Sequence, residues 1–73
     1  MLKATPFRLK FIEELQTYNG SPFLCSEVAK TYNVSWYKAK RCIDYAIENE
    51  YLVAINAFGH IFYQKATFLK THT

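Results

Sequence analysis

Two cysteines, two glycines, two prolines and two histidines in 73 residues leave little material for several kinds of chemistry. Cys25 and Cys42 make no disulfide framework, and neither stands in a Cys-x-x-Cys or Cys/His spacing. With His60 and His72 they are four side chains able to ligate a metal, but their wide separations match no zinc pattern. Neither metal nor cofactor is therefore expected. The thiols read as reduced and packed, the usual state of cysteine inside a reducing cell. No glycine-rich phosphate loop, nucleophile–base pair or cluster of carboxylates is recognisable, so neither catalysis nor a small-molecule substrate is expected. The N-terminus has no continuous apolar stretch of the signal-peptide kind. No run approaches the ~20 apolar residues that a membrane span takes. The expectation is a cytoplasmic protein without membrane contact.

What the chain does contain is a folding composition. Hydrophobic residues make up 51% and charged residues 21%, which places it among globular domains. The length allows one domain with one modest core, expected over about residues 6 to 65 with short tails. Six Tyr, six Phe and one Trp are more rings than so small a core can hide, so some are expected at the surface. The net charge is +3, compatible with nucleic acid, but its distribution is more informative than its sum.

The periodicity predicts three helices and a hairpin, an α+β order. Thr5-Pro6 is a cap followed by proline at the first helical position. Phe7, Phe11, Leu15 and Tyr18 then recur at helical spacing, with Ile12 beside them, until Asn19-Gly20. Residues 21 to 24 read as an extended connection with room for a short strand. A short second helix follows from Cys25 to Tyr32, capped by Ser26 or Cys25. Ser35 caps a third, residues 36–49, whose apolar stripe is Ala39, Cys42, Ile43, Ala46 and Ile47. Residues 51–55 and 60–64 are rich in strand formers and flank a turn at Asn56-Ala57-Phe58-Gly59. The remainder from Lys65 is expected to extend the second strand briefly and then fray.

The turn between the second and third helices carries the strongest signal. Ala29 is small where two helices approach, and Asn33 tolerates the positive φ that a sharp turn demands. Val34 fills the gap between the helices. With Val28, Tyr32, Ser35, Ala39, Arg41, Cys42, Ile43, Ala46 and Tyr51-Leu52, this pattern resembles the winged helix-turn-helix family. The resemblance implies a three-helix domain with a C-terminal β-hairpin wing, and duplex DNA as partner. It departs from the family pattern at three places. Asn33 replaces a turn glycine, Glu50 replaces a glycine before the wing, and the wing has only His60 near its tip. The corner at Glu50 is accordingly expected to differ, and phosphate contact by the wing is not expected.

In the third helix Lys38, Lys40 and Arg41 fill the first half, while Asp44, Glu48 and Glu50 fill the second half and the end. The helix dipole favours the reverse order, by ~0.3–1 kcal/mol for each charge near an end. The resemblance makes this the recognition helix, so Ser35, Trp36, Tyr37, Lys38, Lys40 and Arg41 are the candidate DNA contacts. The expected function is sequence-specific DNA binding, as a transcriptional regulator or a phage or plasmid accessory factor. Plainer readings exist for each residue: a Lys40–Asp44 surface pair, an Arg41 pinning the helix, and a Trp36 folded on the first helix or the wing. Lys3, Arg8 and Lys10 offer a secondary basic area, with a solvated face as the favoured reading. Phe58 and His60 are possible wing or protein contacts: Phe58 could wedge into a minor groove, with folding back or meeting a protein favoured, and His60 reads as a surface residue. The rival function is a protein-interaction module, an inhibitor or adaptor anchored on Trp36, Tyr37 and Phe58. A homodimer through the first helix or the last strand is a further expectation.

Overall fold

A computed structural model describes residues 2–66; His72 and the expected fraying after β2 lie outside them. The order is α1 (Pro6–Thr17), α2 (Cys25–Tyr32), α3 (Trp36–Glu48), β1 (Leu52–Ala57) and β2 (His60–Lys65). Three helices thus precede one antiparallel hairpin, the α+β arrangement that the periodicity predicts. Among the described residues no helix is long and apolar enough to cross a membrane.

Each helix starts where its sequence offers a partner for otherwise unpaired backbone N–H groups. The Thr5 hydroxyl accepts from the Arg8 N–H, with Pro6 at the first helical position. The Ser35 hydroxyl accepts from the Lys38 N–H in the same way. The start of α2 differs from expectation: the cap is Leu24, not Ser26 or Cys25. Its N–H donates to the Glu27 carboxylate at 2.8 Å, so the third residue of the helix reaches back to the cap. Helix α1 ends at Thr17, slightly ahead of Asn19-Gly20, and Gly20 takes the positive φ just beyond. Lys65 reaches from β2 to the Gln16 and Tyr18 carbonyls, supplying the end of α1 with a cation that its own last turn lacks.

Asn33 closes α2 in the left-handed region at φ 55°, as its place in the turn predicts. The Val34 N–H then donates to the Ala29 carbonyl, and Val34 packs against the core. The core is centred on α3, where Ala39, Cys42, Ile43 and Ala46 are buried against Phe11, Ile12 and Leu15 of α1 and Val28 of α2. Leu52 and Tyr63 close it from the hairpin. Burial of side chains such as Ile43 and Leu52 contributes about 1.5–3 kcal/mol each. Tyr45, outside the expected stripe, is buried as well, while Ile47 is only partly so.

Glu50 stands at φ 65°, so the corner into β1 keeps the left-handed conformation that favours glycine despite the change of residue. The hairpin pairs Leu52 with Lys65 through Ala57 with His60, leaving Phe58 and Gly59 as a two-residue loop. The extended connection after α1 joins this sheet at one point. Phe23 and Tyr63 exchange backbone hydrogen bonds of 2.9 and 2.8 Å, an isolated bridge in place of a short strand.

Candidate nucleic-acid interface

The first turns of α1 and α3 meet along one groove, lined by Thr5, Phe7, Arg8, Tyr37, Lys38 and Arg41 among others. No carboxylate lines it. Neither helix carries an acid in its first turn, so the positive ends of two helix dipoles stand beside three cations. Such a place favours an anion, because charge of one sign gathers there with no carboxylate in the lining.

Each cation is held differently. The Lys38 ammonium lies 4.9 Å from the centre of the Phe7 ring, and the Arg41 guanidinium 5.8 Å from that of Tyr37. Rings hold these groups in place while leaving their donors for a ligand. One Arg8 nitrogen donates to the Lys3 carbonyl at 2.8 Å. The guanidinium also hydrogen-bonds the Cys42 thiol, and its five N–H groups exceed what these two partners use. Arg8 is half-buried, which corrects the expected solvated face: it belongs to the groove. Its charge also acts on the buried Cys42 thiol, lowering a pKa that loss of water raises by more.

Lys40 does not join this set. Its ammonium forms a 2.7 Å ion pair with Asp44, and that hydrogen bond is the first cause holding its pKa above the ordinary lysine value. Three of the expected contacts, Tyr37, Lys38 and Arg41, are therefore brought together in the groove, while Lys40 is occupied elsewhere. Ser35 serves as the cap of α3, and its hydroxyl accepts from the helix. Trp36 and Tyr37 are 55% and 67% exposed, so Trp36 is not folded away.

At the far end of the hairpin Phe58 is 95% exposed, and the expected folding back over the hairpin does not occur. His60 is exposed, and its ring meets that of Phe62 edge-on, with centroids 6.4 Å apart. Cys25 and Cys42 are free, buried thiols, and burial is the main cause raising the pKa of both. No group of three metal-ligating side chains occurs among the described residues. Sequence reading left Arg8 in a secondary basic area and did not place it beside α3. Nothing in its local spacing joins it to Lys38, because only the packing of α1 on α3 does so. Scanned against models of known families, and searched against characterised proteins and solved structures, the chain matches none.

Proposed function

We propose that this chain is a small winged helix-turn-helix protein that binds duplex DNA, not an enzyme, with α3 as its recognition helix. The observation that carries this reading is the acid-free groove where two helix N-termini meet Arg8, Lys38 and Arg41. A phosphodiester strand along that groove would neutralise all three cations and receive a hydrogen bond from Tyr37. The first half of α3 would then lie along the major groove. Asp44 and Glu48 sit in the second half of the helix, away from the proposed contact. The reduced, buried thiols fit work in the cytoplasm.

The test is fluorescence anisotropy with random-sequence duplex DNA at low and near-physiological salt. Wild type is expected to bind, with affinity falling steeply as salt rises. Removing three phosphate contacts with Arg8→Ala, Lys38→Ala and Arg41→Ala together is expected to lower the salt slope by roughly 3, at about 0.9 per contact. Lys40→Ala, which loses only the pair with Asp44, is expected to stay near wild type. Absence of binding at low salt, or a triple variant that binds like wild type, refutes the proposal.

A second reading, a protein-interaction module, is favoured by one observation: the bare ring of Phe58. It predicts an association centred on an aromatic anchor and tolerant of salt.

A further inference from the structure

The turn at the hairpin tip is occupied by the wrong kind of residue for its geometry. Phe58 and Gly59 have φ of 53° and 74°, and positive values at both loop positions mark a type I′ turn. Asn-Gly is the pair this turn favours, since asparagine and glycine tolerate the left-handed region. A phenylalanine is penalised there through its Cβ, and at 95% exposure its ring makes almost no contact in return. Strain without an internal compensation points outward, to a contact made with another molecule.

A matching cavity lies on the other side of the fold. Between α1 and α2 runs a groove of about 350 Å³, lined by the rings of Phe11, Tyr18, Phe23 and Tyr32 with Leu15 and Val28. Tyr18 already meets Phe23 edge-on at 5.7 Å, and Phe11 meets Tyr32 edge-on at 6.1 Å. One further ring would continue that packing. Glu14 and Glu27 also line the groove, and no cation does. The tip carries no acid, lysine or arginine from Asn56 to Ile61, and Ile61 beside it is half exposed, so it presents an uncharged, apolar knob.

The tip cannot reach the groove of its own chain. Phe23, in the groove wall, is bonded to Tyr63 in the middle of β2. From Tyr63 the strand runs away towards His60, a span of roughly 10 Å at 3.4 Å per residue.

We propose that Phe58 of one copy docks into the α1–α2 groove of a second copy, head to tail. The surfaces that meet are different, so each docked copy still offers one free tip and one free groove. Association of this kind continues into short chains and does not stop at a dimer. The contact stands apart from the DNA interface. Only its consequence on a duplex, mutual support of neighbouring copies, rests on the DNA reading.

The test is sedimentation equilibrium without DNA, from about 10 μM to about 1 mM, because a contact smaller than a standard interface is weak. The mass average of wild type is expected to climb with concentration past that of a dimer. Phe58→Asn removes the tip while supplying the favoured turn, and is expected to remain monomeric. Thr31→Arg lays a guanidinium across the groove, one helical turn from Glu27, and is expected to remain monomeric too. Mixed in equal amounts, the two variants join one intact groove to one intact tip, so the mass is expected to double and stop there. A wild type that stays monomeric at the highest concentration overturns the proposal. So does a Phe58→Asn variant that still associates, or a mixture that stays monomeric.

Discussion

Phe58→Asn should make the monomer more stable, although it removes a large aromatic side chain. The left-handed region costs a residue with a Cβ about 1–2 kcal/mol, and asparagine avoids most of that by bonding locally. The loss on the other side is close to nothing, because the ring is 95% exposed and buries almost no apolar area. The balance is a gain of about 1 kcal/mol, which for a domain of this size raises Tm by roughly 4–8 °C. Thermal unfolding followed by circular dichroism, at low concentration so that association does not contribute, reads the shift directly. Two companions separate the causes. Phe58→Ala keeps the Cβ and should gain little. Phe58→Gly relieves the strain but enlarges the freedom of the unfolded chain, by about 0.5–1 kcal/mol, and should fall between the two. An Asn variant melting at or below wild type would show that the ring packs against the chain, and the strain argument would fail.

At the centre of the core, Ile43→Ala should cost about 2–5 kcal/mol in urea titrations, since Ile43 is fully buried and its neighbours are fixed by three helices. A cost below about 1 kcal/mol would mean that the site collapses freely. Asn33→Ala should lower stability by about 1–2 kcal/mol through its left-handed φ, whereas Asn33→Gly should not. Equal losses in both would assign the role to the asparagine side chain instead. Tyr32 is held above the ordinary phenol pKa by burial first, then by its hydrogen bond to Glu14 and the Glu14 charge. The preference of the fold for the neutral phenol is therefore fully present below pH about 10 and is lost as pH rises beyond it. Tyr32→Phe should flatten the alkaline decline of the urea midpoint, leaving a smaller slope from Tyr63, Cys25 and Cys42, whose pKa values are also raised by burial. An unchanged slope would exclude Tyr32 as its source.

Local rules carried much of this fold. Thr5-Pro6, Ser35 and Asn33 act through bonds or backbone angles within a few residues of themselves, so their roles are readable from neighbours alone. The stripe of α3 is readable for the same reason, since a helical period turns position into direction. The rest depended on distant partners. Leu24 is a cap without a side-chain acceptor, because the Glu27 carboxylate supplies the bond. Tyr45 is buried by neighbours that the period of its own helix does not announce. Arg8 enters the groove only because α1 packs on α3, and Lys40 leaves the cationic set only because Asp44 holds it. The turn chemistry around Gly59 located the hairpin tip, but gave no warning that the Phe58 ring would stand unsupported there.

The two arms of the hairpin are fastened independently. β1 follows from α3 and buries Leu52 in the core. β2 is tied through Tyr63 to Phe23, through Gln64 to the Gly20 carbonyl and through Lys65 to the end of α1. The peptide between Phe58 and Gly59 holds nothing that these fastenings do not already hold. Among the described residues, a protease that cuts after aromatic residues would find its most open substrate there, and the nicked chain would stay assembled from two pieces. The same point is where new termini, or a whole inserted domain, can be introduced without dismantling the helices.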